Sequence, residues 1–232
     1  MNVDESFGIL EFGQGENTKT LELTWSCKSD YLTYRIKIQE RSSRSTKRDV
    51  LSEIALIFDP LGLLAPCVVV VVKVLLQKLW LQKVSWDDSL PAKIHSTWTK
   101  FREELPYIND LKIPRHVTCV KPEKIELHGF SDACDYSYGA CIYLRSIDAQ
   151  GIITVRLLYA KSKVSPLKPL TTPRLELCAA LVLARLAEKV LRSLTCNIER
   201  WIFWTDSSIV LGWLKTAPNL LKTFVSSRVS EI

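Results

Sequence analysis

Three acidic residues of this sequence stand next to or among apolar residues, where a charge is unusual. Asp132 lies in a predicted strand, Glu176 lies near the start of a predicted helix, and Asp206 directly follows the apolar run WIFWT. Clustered carboxylates suit Mg²⁺ or Mn²⁺, because these hard cations prefer oxygen ligands. Two such ions can activate water and stabilise the leaving oxygen of a phosphodiester without a histidine or cysteine nucleophile. The candidate chemistry is therefore metal-dependent phosphodiester hydrolysis.

Each of these residues also has a purely structural alternative. Asp132 could cap a turn before Tyr136, Glu176 could favour the positive end of its helix, and Asp206 could be the N-cap of a helix from Ser207. Taken one at a time, these structural roles are the more common ones.

Helical periodicity argues against the structural alternative for Glu176. At about 100° per residue, Glu176 shares a helix face with the apolar residues Ala180, Leu183, Ala187, Val190 and Leu194. This face must pack on the sheet, because the opposite face carries Arg185, Glu188, Lys189 and Arg192. A carboxylate that heads a core-facing row needs a partner that stabilises its charge, and a metal ion is such a partner.

The elements that would position these residues form an α/β pattern. The sequence predicts strands over 125–132, 137–144, 152–161 and 198–205, with a helix over 173–194 before the last strand and a short helix from Ser207. Short connections favour an antiparallel meander, and the helix provides a crossover to a parallel strand. We expect a mixed sheet flanked by helices. If the strands of Asp132 and Asp206 are adjacent, the three carboxylates converge at one end of that sheet.

The first half of the chain has a different pattern. Apolar segments over 21–25 and 31–38 predict a hairpin, and helices are predicted at about 48–58, 63–83 and 90–105. Asp88 or Ser89 is expected to cap the third helix. A change of pattern at the prolines after residue 106 places a domain boundary near residues 110–122.

The composition excludes a wholly disordered chain, and its mild basic charge is compatible with a polyanionic partner. The 232 residues are 47% hydrophobic and carry a formal net charge of +6, with the excess of basic residues after residue 40. Four basic residues lie in a Pro-broken loop that precedes or opens the long helix and could hold phosphates: Lys161, Lys163, Lys168 and Arg174. A solvated basic loop is an equally common alternative. For Trp201, Trp204 and Trp213, core packing is expected rather than base stacking.

Cysteine usage and hydropathy indicate where the protein works. Its seven cysteines are never spaced C-x-x-C and only three histidines accompany them, which disfavours a zinc site. The most apolar stretch, 61–72, is interrupted by Gly62 and Pro66 and is shorter than the roughly 20 residues that span a bilayer. With no basic-then-apolar leader at Met1, we expect an intracellular, cytoplasmic protein that does not contact membranes.

Three strings resemble the ribonuclease H region of BEL/Pao-type retrotransposon polyproteins. They are HGFSDACDYSYGACIYL at 128–144, AKSKVSPLKPLTTPRLEL at 160–177 and FWTDSSIVLGWL at 203–214. Residues 46–91 resemble the helical segment that follows the reverse transcriptase palm in the same family, and TLELTW at 20–25 resembles the last strands of the palm.

The resemblance implies three segments. Residues 1–45 would be a β remnant of the palm end, and residues 46–115 a helical thumb or connection segment. Residues 122–232 would be a ribonuclease H-like domain that lacks its last strand and helix. The chain would then be a fragment of a Pol polyprotein, with the remainder of that polyprotein as a partner, in the cytoplasm or within retroelement particles.

The resemblance also implies an activity. Asp132, Glu176 and Asp206 match the first three carboxylates of a two-ion Mg²⁺ or Mn²⁺ site that hydrolyses the RNA strand of RNA–DNA hybrids during reverse transcription. In the family a fourth acidic residue follows the segment that resembles FVSSRVSEI at 224–232. We therefore expect activity to be impaired in this chain.

Two other functions are compatible with these residues. One is a non-catalytic module that binds nucleic acid or connects parts of a polyprotein. The other is an aspartic peptidase, since the Pao family is commonly labelled a peptidase family. A retroviral-type peptidase needs an Asp-Thr-Gly or Asp-Ser-Gly loop, and the nearest strings here are TDSS at 205–208 and SDAC at 131–134. The peptidase is the weakest of the three hypotheses.

Overall fold

The computed structural model describes residues 17–20, 23–38, 45–55, 57, 59–64, 68 and 70–232. Within these residues the strands are β1 (Asn17–Thr20), β2 (Leu23–Ser26), β3 (Tyr31–Tyr34), β4 (Ile113–Pro114), β5 (Lys124–Cys134), β6 (Ser137–Ile147), β7 (Ile153–Val164) and β8 (Arg200–Trp204). The helices are α1 (Lys47–Ile54), α2 (Val70–Leu81), α3 (Ala92–Glu104), α4 (Thr172–Ser193), α5 (Ser208–Leu214) and α6 (Thr223–Val229). The other parts of the predicted segment 1–45, and of the predicted helices over 48–58 and 63–83, lie outside the described residues.

The first sheet is antiparallel, with the strand order β1-β2-β3-β4. The predicted hairpin is confirmed, since Trp25 of β2 pairs with Leu32 of β3. The sequence did not predict β4, in which Pro114 pairs with Tyr31. The chain therefore returns to the first sheet after α3.

The middle of the chain is a small helical unit. Apolar residues of α1, α2 and α3 share one core, in which Val50, Leu79 and Trp98 are almost fully buried. Helix α1 begins with a capping box, in which the Thr46 hydroxyl accepts a hydrogen bond from the Asp49 amide and the Asp49 carboxylate accepts one from the Thr46 amide. The predicted cap of α3 was wrong, because the N-cap residue is Pro91 and no side chain caps that helix.

The second sheet has the predicted mixed topology. Its strand order is β7-β6-β5-β8, with all pairs antiparallel except the parallel pair β5 and β8. Alternate residues of β5 and β6, such as Leu127 and Ile142, point to one face and are fully buried against α4. Helix α4 supplies Leu183, Leu186 and Val190 to the same core, so its apolar stripe packs on the sheet as predicted.

Helices α5 and α6 pack against α4. A second small core joins Leu177 of α4 to Val210 of α5 and Val225 of α6. Among the described residues no helix combines the length and apolar character of a transmembrane span.

Candidate metal and nucleic-acid site

Asp132 and Asp206 belong to neighbouring parallel strands. The last residue pair of β5 and β8 is Phe130 with Trp204. Each aspartate lies two residues beyond its member of that pair. Asp132 is still within β5, which continues to Cys134, whereas Asp206 follows the end of β8. The prediction that these two residues converge required their strands to be adjacent, and β5 and β8 are adjacent.

The local structure does not support the structural alternatives for the two aspartates. Asp132 is exposed near the end of β5. Its Oδ1 accepts a hydrogen bond of 2.7 Å from the amide of the next residue, Ala133, and so does not cap a turn before Tyr136. The N-cap of α5 is Ser207, whose hydroxyl accepts a hydrogen bond of 3.3 Å from the Val210 amide. Asp206 is exposed, and it does not cap this helix.

Glu176 lies in the second turn of α4, on the face that packs against the sheet. It is half-buried, and the residues one and two turns along the same face, Ala180 and Leu183, are buried. The first turn of α4 has no acidic residue, so Glu176 is not placed to interact with the helix N-terminus in the usual way. The direction of its side chain stays a prediction.

The donor chemistry of these residues suits a hard cation, but they do not form a compact cluster in this structure. All three candidates offer carboxylate oxygens, the ligands that Mg²⁺ and Mn²⁺ prefer. Within the described ranges, no other side chain pairs with the carboxylates of Glu176 and Asp206, so both remain available as ligands. Over the same ranges, no three Asp, Glu, His or Cys side chains are arranged to hold a metal ion. The assignment of Asp132, Glu176 and Asp206 as metal ligands therefore stays a prediction.

A groove of about 260 Å³ lies beside Asp132 and involves β5, β6 and β7. Its lining includes Asp132, Cys134, Gly139 and Lys161. Gly139 is needed here, because a β-carbon on it would lie 2.8 Å from the carbonyl oxygen of Lys161.

Sequence analysis did not single out Cys134 as a member of this groove. A hydrogen bond with the Ser137 hydroxyl, at 3.4 Å from Sγ, lowers the pKa of the Cys134 thiol below its usual range. The thiol is exposed and two residues from Asp132. An exposed thiol of lowered pKa is a reporter of access to this end of the sheet.

The four basic residues do not share one loop, as the sequence had suggested. Lys161 and Lys163 belong to β7, because the ladder between β6 and β7 continues to the pair of Ser137 with Val164. Lys168 lies in the loop before α4, and Arg174 lies in the first turn of α4. The three lysines are exposed and Arg174 is half-buried.

The expectation that the tryptophans pack in the core was right for one of them and wrong for another. Trp213 packs against the small core shared by α4, α5 and α6. Trp204 is 49% exposed and stacks with its ring nearly parallel to Phe130 and His128, at centroid distances of 6.2 and 6.4 Å. These rings lie on the face of the sheet opposite α4. Trp201 is half-buried.

Comparisons with known proteins agree with this architecture. A family model described as "Pao retrotransposon-like RNaseH-like domain" matches residues 46–207. Curated protein sequences contain no significant match.

Among solved structures, a foamy viral protease-reverse transcriptase in complex with double-stranded DNA aligns with 93% of this chain and 35% of its own chain, at 15% identity and a TM-score of 0.51. A second structure of a foamy viral protease-reverse transcriptase in complex with double-stranded DNA aligns with 94% of this chain and 42% of its own, at 15% identity and a TM-score of 0.45. The chain thus spans about a third to two fifths of the length of these proteins. The first likeness, to a chain described as "protease-reverse transcriptase dRH", concerns the fold alone; the description as ribonuclease H-like comes from the family model.

Proposed function

Since the chain belongs to the family of Pao retrotransposon-like RNaseH-like domains, we propose that its second domain hydrolyses the RNA strand of RNA–DNA hybrids in a metal-dependent reaction. The observation that carries this proposal is the parallel pairing of β5 and β8, after which Asp132 and Asp206 follow side by side. Glu176 is on the helix face turned toward the same sheet. The reaction belongs to reverse transcription of a BEL/Pao-type element.

In this proposal Asp132, Glu176 and Asp206 hold Mg²⁺ or Mn²⁺. When bound, such ions supply positive charge for the attacking and leaving oxygens of phosphodiester hydrolysis. The carboxylates keep the metal site at the end of the sheet, where the exposed groove beside Asp132 leaves room for a nucleic-acid backbone. Lys161, Lys163, Lys168 and Arg174 hold phosphates of the hybrid and fix its position without reading its sequence.

The proposed protein partner is the remainder of a Pol polyprotein. The helical segment over 46–115 connects the nuclease domain to the rest of a Pol polyprotein, and the protein acts in the cytoplasm or within retroelement particles. The resemblance also requires a fourth carboxylate from another part of the polyprotein, and this chain spans only a part of its structural neighbours.

The test is cleavage of a hybrid with a labelled RNA strand by the purified chain, in Mg²⁺ and in Mn²⁺. A longer chain that contains this segment is assayed in parallel to supply the fourth carboxylate. We expect Asp206→Asn and Glu176→Gln each to abolish cleavage in whichever form is active. Glu188→Gln is the matched control, because Glu188 is an exposed residue three turns further along α4.

The alternatives give different results in the same assay. If neither form cleaves the hybrid while both bind it, a non-catalytic binding module replaces the nuclease. If Glu188→Gln abolishes cleavage as completely as Glu176→Gln, the assignment of Glu176 to the metal site is wrong. Cleavage of a peptide that is blocked by an aspartyl-protease inhibitor would instead support the peptidase.

A further inference from the structure

Two arginines from different helices contact the same aromatic ring beside the start of α4. The guanidinium carbon of Arg174 lies 5.0 Å from the centroid of the Phe224 ring, and that of Arg228 lies 3.6 Å from it. Phe224 and Arg228 belong to α6, which packs against α4 through the small core around Leu177 and Val225. The ring therefore brings together two cations that are far apart in sequence.

The charge of this pair is only partly balanced by the protein: the acidic group that acts on Arg228 is Glu231, which is itself the ion-pair partner of Arg185. Within the described part of the chain Arg174 forms no ion pair, and its position in the first turn of α4 sets its charge against the positive end of the helix dipole. The Nη1 of Arg228 donates a hydrogen bond of 2.8 Å to the Phe224 carbonyl, but its Nε is buried without an acceptor. Two cations held near one another repel, and an anion that contacts both relieves this repulsion.

The stacking also prepares the pair for binding. Cation–π contact with one ring restricts both long side chains, so less rotamer entropy is lost when a ligand binds. A planar guanidinium binds phosphate oxygens through two N–H groups at once, which a lysine cannot do.

We propose that Arg174 and Arg228, stacked on Phe224, form a binding site for the phosphodiester backbone of nucleic acid, separate from the candidate metal site. The ligand is the sugar-phosphate backbone, in duplex or hybrid form, and no base is read. Arg174 precedes Glu176 by two residues, about 200° around the helix, so the two side chains lie on different faces of α4 and the arginine pair is distinct from the candidate metal site. The identity of this ligand rests on the proposed function. The site adds Phe224 and Arg228 to the residues proposed to bind nucleic acid.

The experiment measures binding of a fluorescently labelled RNA–DNA hybrid by polarisation over a series of salt concentrations, with EDTA present. Each phosphate contact made by a cation contributes about 0.9 to the slope of log K against log salt concentration. We expect Arg174→Gln and Arg228→Gln each to lower this slope by about one, and Arg174→Lys to keep it. Phe224→Leu should weaken binding without a change of charge. Arg192→Gln is the control, since Arg192 is an exposed residue in the last turn of α4, paired with Glu188.

The proposal is overturned if Arg174→Gln and Arg228→Gln both give the slope of Arg192→Gln. Arg228→Gln also removes the hydrogen bond to the Phe224 carbonyl, so circular dichroism is used to check that this variant folds. If Arg228→Gln does not fold, Arg174→Gln alone decides the outcome. The assay contains no divalent ion and no cleavage step. Loss of hydrolysis in the metal-site variants therefore leaves this result unaffected, and an unchanged slope rejects the arginine site even if the nuclease assignment holds.

Discussion

Gly62 approaches Ala160 so closely that no side chain fits between them. A β-carbon on Gly62 would overlap the carbonyl oxygen of Ala160 in β7. The preceding residue, Leu61, accepts a hydrogen bond of 3.0 Å from the Ala160 amide. The turn over residues 59–62 thus contacts the edge of the second sheet directly and links the helical middle of the chain to that sheet.

Other contacts support this junction. The side-chain amide of Gln77 in α2 donates a hydrogen bond of 2.7 Å to the Ser165 carbonyl, at the end of β7, and the Lys78 ammonium lies 6.0 Å from the centre of the Tyr136 ring. Tyr136 belongs to the turn between β5 and β6, close to Asp132. The helical segment therefore contacts two loops that border the candidate metal site.

The first prediction concerns Gly62. We expect Gly62→Ala to lower the free energy of unfolding by more than about 1 kcal/mol, because it adds a backbone clash to the cost of a positive φ of 68°. Gly151→Ala is the matched control, since Gly151 has a φ of 78° and open space around it. Urea unfolding of both variants separates the clash from the backbone conformation. Equal losses would show that the contact with Ala160 contributes nothing.

The second prediction concerns Lys47, which is buried at the start of α1. Its ammonium lies 5.3 and 4.9 Å from the ring centres of Trp80 and Trp86 and donates a hydrogen bond of 3.2 Å to the Val84 carbonyl. Lys47→Met keeps the aliphatic stem but removes these interactions, so we expect a loss of about 1–2 kcal/mol in urea unfolding. Lys93→Met, at an exposed position of α3, should change stability little. A similar loss in both variants would contradict this role.

The third prediction follows from the charge network around Glu126 in β5. Burial raises the pKa of Glu126, but hydrogen bonds from His128 and Arg145 outweigh it and hold the pKa below its usual range. Because the folded-state pKa is lowered, the stabilisation is complete above the unfolded-state pKa of about 4.3 and is lost as the pH falls through the folded-state pKa.

Glu126→Gln should therefore be less stable than the wild type at pH 7, by up to about 1 kcal/mol, and the difference should disappear in acid. Urea unfolding at a series of pH values measures it. Glu199→Gln, which changes an exposed carboxylate just before β8, should follow the wild type across the series. A difference that persists at the lowest pH would indicate lost packing rather than lost charge.

The second sheet could be predicted because its signals are local. Two short runs rich in apolar residues, 125–130 and 138–144, predict strands, and residues 175–190 repeat their apolar positions with the period of a helix. Burial of Leu127, Ile142 and Leu183 confirms both patterns. The position of Asp132 and Asp206 then followed from one topological rule, the crossover that makes β8 parallel to β5.

The features that escaped prediction depend on contacts between distant parts of the chain. Pro114 became part of a strand only because Tyr31 offers a pairing edge. The run WIFWT predicts burial, but Phe203 and Trp204, which point to opposite faces of β8, are each 49% exposed, and β8 is an edge strand of its sheet. The choice of Ser207 over Asp206 as the cap of α5 separates two residues with nearly equal capping preferences. The local sequence does not determine which residue pairs, is buried or caps a helix here, because the residues that it contacts are distant in the sequence.

The last prediction uses Cys134 to report on the candidate metal site. Alkylation requires the thiolate, so the rate rises with pH according to the thiol pKa. The hydrogen bond with Ser137 lowers the pKa of Cys134, whereas burial raises that of Cys141 on the neighbouring strand. We expect iodoacetamide to modify Cys134 at a lower pH than Cys141, and Ser137→Ala to shift the Cys134 profile to higher pH, as measured by mass spectrometry.

Cys134 can also test where nucleic acid binds. If the backbone of an RNA–DNA hybrid passes over the groove beside Asp132, saturating hybrid should slow alkylation of Cys134 severalfold. Cys27, which is exposed in the turn between β2 and β3, serves as the control and should react at an unchanged rate. Equal rates for Cys134 with and without bound hybrid would place the nucleic acid elsewhere on the protein. Protection of both cysteines would instead indicate aggregation or a general loss of access.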